Sequence, residues 1–184
     1  MPRYPFIQAR HYNAAARTAI DWVVVHTMET PEDVDRAHKV ASWFASSAAP
    51  QASAHYCVDD EHVVQCVRHE DIAWHAPGAN RNGIGVEHAG CAAQTAAAWD
   101  DAYSRKVLAQ SAVLVAGLCL AYAIPIARLT PEDLRAGRRG ICGHADVTSA
   151  FHGGNGHWDP GPHFPWTAYV DLVRAAANEA RNGS

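Results

Sequence analysis

The sequence lacks features that mark several common classes of protein. It has no excess of positive charge, with 15 Lys and Arg against 19 Asp and Glu and a formal net charge of -4. Nucleic acids and anionic membranes attract basic surfaces, so neither is expected as a partner. The five cysteines contain no Cys-x-x-Cys pair, which argues against a zinc ribbon or a thioredoxin-like site. The longest apolar run, residues 112–126, is shorter than the roughly 20 residues that span a bilayer, and residues 1–17 show no apolar signal-peptide core.

The length and composition predict one globular domain. The chain has 184 residues, of which 48% are hydrophobic and 18% charged, and this balance suits a packed core rather than wholesale disorder. We recognise no linker or low-complexity segment, so residues 1–184 are interpreted as a single α/β domain. Cys57 and Cys66 flank a predicted hairpin and could face each other, but free buried thiols are favoured in a chain without a recognised secretion signal.

Histidine is unusually frequent. The chain has 12 histidines, and histidine is both the commonest metal ligand and the usual acid or base near neutral pH. Twelve cannot all act in one site, so the function depends on which few converge.

The pattern along the chain alternates strands and helices. Residues 20–26 form a β-branched, apolar run typical of a central strand. Thr30-Pro31-Glu32-Asp33 predicts a helix start with Thr30 as N-cap, and the same tetrapeptide at 130–133 predicts a second, short helix. The other predictions are strands at 53–58, 63–67, 72–76 and 84–88, a helix at 96–123, an extended segment at 141–145, a Gly/His/Pro-rich loop at 148–165 and a helix at 166–180.

Three potential metal ligands fall at plausible positions. His26 ends the first predicted strand, His144 lies in Cys-Gly-His-Ala-Asp, and Asp159 lies in His-Trp-Asp-Pro-Gly-Pro. Two imidazoles and one carboxylate are a common catalytic zinc set that leaves a fourth position for water or substrate. These residues are far apart in the chain, so spacing alone leaves open the alternative that His26 is an ordinary core histidine.

A set of short motifs gives the sequence a family resemblance that spans about residues 20–175. In chain order they are Val24-Val25-His26, Ser53-Ala54-His55, Ala73-Trp74-His75-Ala76, Ile84-Gly85-Val86-Glu87, Gly143-His144 and Asp159-Pro160-Gly161-Pro162. The set resembles the zinc-dependent N-acetylmuramoyl-L-alanine amidases of the type-2 amidase or peptidoglycan-recognition fold.

The resemblance implies a central mixed β-sheet flanked by helices, with a zinc-containing cleft. It implies that His26, His144 and Asp159 are the Zn²⁺ ligands and that Glu87 is catalytic. Two positions depart from relatives: His157 stands where many have lysine, and Ala54 stands where some have tyrosine. His157, a second candidate catalytic residue, thereby supplies a cation whose charge depends on pH. The absence of the tyrosine at Ala54 shifts the proton-transfer role toward Glu87.

The resemblance also implies a substrate, which is the amide between N-acetylmuramic acid and L-alanine in peptidoglycan. His55, Trp74, His75 and Asn82 are candidate substrate-binding residues. For Trp74 the alternative is core packing, for His55 a hydrogen bond within the sheet, and for Asn82 a plain turn.

Three other functions compete with the amidase. They are a non-catalytic peptidoglycan-binding module, a cytosolic muropeptide-recycling amidase, and a cysteine peptidase that uses Cys142 or Cys91. Filled ligand positions and Glu87 favour catalysis, and neither cysteine lies in a recognised nucleophile motif. We expect the catalytic domain of a phage endolysin, monomeric and without a signal peptide, which reaches the cell wall after release from the host cytoplasm.

Overall fold

The structure, a computed structural model, describes residues 3–14, 17–153 and 156–183. Strands and helices alternate through most of this part of the chain. In chain order the elements are β1 (Tyr12–Asn13), β2 (Trp22–Thr27), α1 (Arg36–Ala45), β3 (Tyr56–Val58), β4 (Val63–Gln65), β5 (Ile72–Ala73), β6 (Gly83–His88), α2 (Ala96–Trp99), α3 (Ala102–Ala121), α4 (Pro131–Arg135), β7 (Gly140–Gly143), α5 (His144–Phe151) and α6 (Trp166–Asn182).

Five strands form a mixed sheet in the order β4-β3-β6-β2-β7. β4 runs antiparallel to β3, and the other neighbours are parallel. All six residues of β2 are buried, which explains its apolar, β-branched composition, because a strand covered on both faces has no solvent side. The predicted central strand and the expected mixed sheet are confirmed. β5 instead pairs with β1 in a separate two-stranded sheet.

Helices cover both faces of the sheet. Val23 and Val25 of β2 and Ile84 of β6 pack into the main core cluster with α3 and α6. The alternate residues of these strands, Val24 and Gly85 among them, point to the opposite face because side chains alternate along a strand. Helices α1, α4 and α5 pack on that opposite face, and the functional cleft opens there.

Helix α1 starts later than its sequence predicts. Thr30 is not its N-cap: Thr30 donates its backbone N–H to Gly90, and the helix begins at Arg36. Its first turn is instead capped from a distance, because the Asp59 carboxylate accepts the N–H of Ala37. Val34, which the predicted helix start would have placed in the first turn, is 73% exposed and precedes the helix. A tertiary cap therefore outweighed the local capping signal.

Two further differences from the prediction also concern helices. The helix predicted over 96–123 is broken after Trp99, because Asp101 accepts the N–H of Ser104 and starts α3 anew. The loop predicted at 148–165 begins only after α5, which runs on to Phe151. Asp146 starts that helix by accepting the N–H of Gly143. The short helix with its Thr130 capping box is confirmed.

Helix α3 is long and apolar enough, by length and composition, to cross a membrane. In this structure 56% of its apolar stretch is buried, against α6 and the sheet. Cys57 and Cys66 are buried free thiols whose sulfurs lie 3.8 Å apart, so the two side chains face each other.

Candidate metal centre and catalytic cleft

His26, His144 and Asp159 come together at one edge of the sheet. His26 is the fifth residue of β2, and His144 directly follows the parallel neighbour β7. The carboxyl ends of parallel strands meet at the same edge, which places the two imidazoles side by side. The Ala145 N–H donates to the Asp159 carbonyl at 2.8 Å, so the start of α5 holds the Asp159 segment against them. All three side chains are buried.

The three side chains present a compact donor set. His26 Nδ1 lies 3.0 Å from Asp159 Oδ2, and His144 Nδ1 lies 3.1 Å from Asp159 Oδ1. One ligand atom from each residue lies within 4.8 Å of the others. Zinc bonds of about 2.0–2.2 Å place tetrahedral ligand atoms about 3.3–3.5 Å apart, so the observed spacing fits a zinc ion after small side-chain shifts.

A chain of hydrogen bonds from Gly83 through His75 to His26 indicates which His26 nitrogen carries the proton and which carries the lone pair. His75 Nε2 lies 3.2 Å from the Gly83 carbonyl oxygen, which can only accept, so Nε2 carries the proton of neutral His75. Its bare Nδ1, 3.0 Å from His26 Nε2, then accepts from His26. The remaining nitrogen of neutral His26 therefore turns a lone pair toward the Asp159 carboxylate, an arrangement that calls for a shared proton or a cation.

Electrostatics favour the protonation states that a metal needs. Burial lowers the pKa of His26, although Asp159 opposes the shift, so the imidazole is neutral at pH 7. Burial also lowers the pKa of His75 well below its usual range. For Asp159, burial opposes ionisation, but its interactions with the nearby rings of His144 and His26 outweigh burial and hold the pKa of this carboxyl well below its usual range.

Glu87 lies beside this cluster, on the same face of the sheet. It pairs in register with His26 across the parallel strands β2 and β6. Its Oε2 is shielded from solvent and has no hydrogen-bond partner among the described residues. Burial, and secondarily the charge of Asp159, raises the pKa of Glu87 well above its usual value. Glu87 is only partly exposed, and a shielded carboxylate oxygen without a donor is costly in the ionised form, which is typical of a catalytic acid or base.

His157 lies at the mouth of the cleft. Its ring stacks on that of His144, with centroids 4.3 Å apart and planes 13° from parallel. The side chain is 72% exposed, and its Nδ1 is 3.8 Å from Asp159 Oδ1. The structure thus brings His157 to the cluster, where its second nitrogen is free to reach a substrate from the solvent side.

The cleft around these residues has a volume of about 490 Å³. Of the predicted substrate-binding residues, Trp74 and His75 line it. Trp74 is held by a hydrogen bond from its Nε1 to Asn13 and by stacking on His11. His75 lines the cleft and also accepts a hydrogen bond from His26. The sequence did not predict this second role because it depends on Gly83, which lies outside the motif that contains His75.

His55 and Asn82, also predicted to bind substrate, do not line this cleft. His55 directly precedes β3 and is fully buried; its Nδ1 accepts the N–H of Gly85 in β6, and its Nε2 lies 2.8 Å from an Arg17 nitrogen. Asn82 donates to the Asp21 carboxylate. Both positions therefore match the structural alternatives: His55 makes a hydrogen bond to a strand of the sheet, and Asn82 lies in a turn.

Sequence reasoning missed part of the cleft wall. Trp43 and Phe44 of α1 and Glu29 after β2 line it. Trp43 is 45% exposed, and an aromatic side chain beside the apolar stripe of a helix is the signal that could have identified it. Glu29 has a positive φ of 52° and accepts the N–H of Ala92, a long-range contact that no local pattern predicts.

Two imidazoles, a carboxylate and a partly buried glutamate at one sheet edge form the arrangement of a metal-dependent hydrolase. The sequence and the fold carry the assignment further. The family model described as N-acetylmuramoyl-L-alanine amidase matches residues 16–162. The chain therefore belongs to the N-acetylmuramoyl-L-alanine amidase family.

Individual proteins agree with this assignment. The chain is 32% identical, over 164 residues, to N-acetylmuramoyl-L-alanine amidase A of Achromobacter lyticus, covering 82% of this chain and 81% of that protein. The fold is similar to that of the hydrolase AmiA of Staphylococcus aureus, with a TM-score of 0.71, 15% identity and coverage of 98% and 86% of the two chains. It is also similar to a mutant endolysin from Bacillus subtilis, with a TM-score of 0.62, 17% identity and coverage of 94% and 99%. The expected fold and family are confirmed.

Proposed function

We propose that this chain hydrolyses the amide bond between N-acetylmuramic acid and L-alanine in peptidoglycan, with Zn²⁺ held by His26, His144 and Asp159. The observation that carries the proposal is Glu87: a partly buried carboxylate whose shielded Oε2 has no donor among the described residues, beside the ligand set and lining the same cleft. Zinc, when bound, would supply a Lewis acid that polarises the amide carbonyl and lowers the pKa of water.

Glu87 acts as the proton carrier in this proposal. Its carboxylate takes a proton from the attacking water, whose oxygen adds to the amide carbon. The same proton then passes to the alanine nitrogen as the carbon–nitrogen bond breaks, so one water is consumed and one acid and one amine are formed. The raised pKa of Glu87 suits the first step, because the conjugate base of a weaker acid takes up the proton of water more readily.

His157 assists by donating to the oxygen that gains negative charge. Its exposed ring can approach the substrate while stacking on His144 keeps it in place. Trp74 supplies an aromatic surface for the sugar or the stem peptide. All three ligand positions and Glu87 are present in this chain, which argues against a module that only binds.

We assign the chain a role as a cell-wall lysin that acts as one monomeric domain. One similar structure is of an endolysin, and a cleft open to solvent along α1 suits a polymeric substrate. The alternative, recycling of soluble muropeptides, predicts activity on small fragments but not on intact walls. Comparing the turnover of intact sacculi with that of purified muropeptides separates the two roles.

The test of the activity is a peptidoglycan digest with and without a metal chelator. We expect new alanine amino groups without new reducing sugar ends, loss of activity on chelation, and recovery with added zinc. His26→Ala should be inactive, whereas a cysteine peptidase would survive chelation. Full activity of His26→Ala, or release of reducing ends alone, contradicts the proposal.

A further inference from the structure

A second cluster of histidine and carboxylate groups lies outside the cleft, where α1 begins beside the β3–β4 turn. It consists of Asp35, His38 and His62, and we call it the α1 cluster. His38 Nδ1 is 2.6 Å from Asp35 Oδ1, and His62 Nδ1 is 3.7 Å from the same oxygen. The two imidazole rings are 4.9 Å apart. One ligand atom from each residue lies within 4.8 Å of the others.

The two distances from the histidine nitrogens to Asp35 Oδ1 lie on either side of the ligand–ligand distance in a zinc site. Zinc–ligand bonds of about 2.0–2.2 Å hold tetrahedral ligand atoms about 3.3–3.5 Å apart, which falls between the two measured separations. The side chains of His38, His62 and Asp35 are 30%, 38% and 47% exposed. Partly exposed side chains can make the required shift, which is roughly 0.7–0.9 Å between His38 Nδ1 and Asp35 Oδ1, and water can complete the coordination shell.

His62 provides the observation that points to a ligand. Its Nδ1 is shielded from solvent yet makes no hydrogen bond among the described residues. The nearest acceptors are carboxylate oxygens of Asp59 and Asp35, at 3.4 and 3.7 Å. Burying a nitrogen without a partner is unfavourable, and a cation between His62 and Asp35 would satisfy it.

The surroundings leave the cluster free to bind. Asp59 is fully buried, and its oxygens accept backbone N–H groups from Ala37, Glu61 and His62. It therefore fixes the turn that presents His62 rather than serving as a free ligand. The neighbouring cations Arg36 and Lys39 are both paired with Asp33, which reduces their repulsion of a metal ion.

We propose that Asp35, His38 and His62 form a second divalent-cation site, specific for metals that prefer imidazole, such as Zn²⁺. The bound ion fastens the start of α1 to the β3–β4 turn. Because α1 carries Trp43 and Phe44 of the cleft wall, this site stabilises the groove from outside without taking part in the reaction.

The test is a metal titration of the full chain, first freed of metal by chelation and dialysis. Isothermal titration with ZnCl₂ counts equivalents, and CoCl₂ adds a visible spectrum that reports imidazole coordination. Four proteins are compared: the parent, His38→Gln/His62→Gln, His26→Ala/His144→Ala, and His163→Gln as a control for an exposed histidine outside both clusters. The single variants His38→Gln and His62→Gln show whether each ring contributes.

We expect two equivalents in the parent and the His163→Gln control, and one in each double variant. Each single substitution in the α1 cluster should weaken the second equivalent at least about tenfold, since removing even an outer-shell partner costs about 10–100-fold. Zinc should raise the Tm of His26→Ala/His144→Ala, but not after His38→Gln is added. Uptake of one equivalent by the parent with none left in His26→Ala/His144→Ala overturns the proposal, as does a second equivalent that survives His38→Gln/His62→Gln. If only the His38- and His62-dependent equivalent is found, this site stands and the zinc assignment of the cleft fails.

Discussion

Replacing His75 by leucine removes the group that sets the tautomer of His26. In the native cleft the Gly83 carbonyl fixes the proton on His75 Nε2, and His75 Nδ1 then accepts from His26 Nε2 at 3.0 Å. Leucine keeps much of the volume but cannot accept. The His26 N–H would be left buried without a partner, or its proton would move to Nδ1 and occupy the lone pair that is proposed to bind the metal.

The size of the effect follows from that lost partner. A buried donor left unsatisfied costs about 1–3 kcal/mol, which corresponds to a roughly 5–150-fold change in an equilibrium constant. Measured losses for the outer partners of zinc-bound histidines are about 10–100-fold. We therefore expect His75→Leu to weaken zinc binding about 10–100-fold. His75→Gln should recover part of this, because its amide oxygen accepts from His26 while its NH₂ group donates to Gly83.

The assay is competition for zinc between the protein and a chromophoric chelator, followed by kcat and KM at saturating zinc. Gly85→Ala provides an independent route, since a Cβ at Gly85 would lie 2.6 Å from His75 Cγ and displace the ring. If His75 only contacts substrate, its removal raises KM and leaves zinc affinity at the parent value. That result, in both His75→Leu and Gly85→Ala, would refute the tautomer argument.

Three further predictions concern single side chains. Glu87→Gln should lower kcat about 10²–10⁴-fold and yet stabilise the fold. Burial raises the pKa of Glu87 well above 4.5, so its ionisation lowers the stability of the parent as pH rises from that value toward the native pKa. The gain in Tm on substitution should therefore be larger at pH 8 than at pH 5. Equal gains at both pH values would contradict this reasoning. Asp59→Ala should lower the free energy of unfolding by about 3 kcal/mol, measured by urea denaturation, because three backbone N–H groups lose a charged acceptor; a loss below about 1 kcal/mol would show that water replaces it. His157→Ala should lower kcat about tenfold with zinc content unchanged, less than for a buried donor because this side chain is 72% exposed; a parental kcat would remove His157 from the reaction.

The sequence alone predicted the elements that depend on local chemistry. β2 was recognisable because six buried residues in a row leave a continuous apolar run. The short helix after Thr130 was recognisable because its capping box lies within four residues. The candidate ligands His26, His144 and Asp159 were found through short motifs in a fixed order, and the family assignment followed from the same motifs.

Other features depend on contacts between distant residues, and only the tertiary structure decided them. The start of α1 is set by Asp59 rather than by Thr30, because a cap from a neighbouring turn competes equally with a local one. His55 and His75 have similar motif settings, yet one lies within the sheet and the other supports His26. Both histidines lie just outside a strand, so the direction in which each ring points, and the acceptor it meets, depend on how distant segments pack in the folded protein.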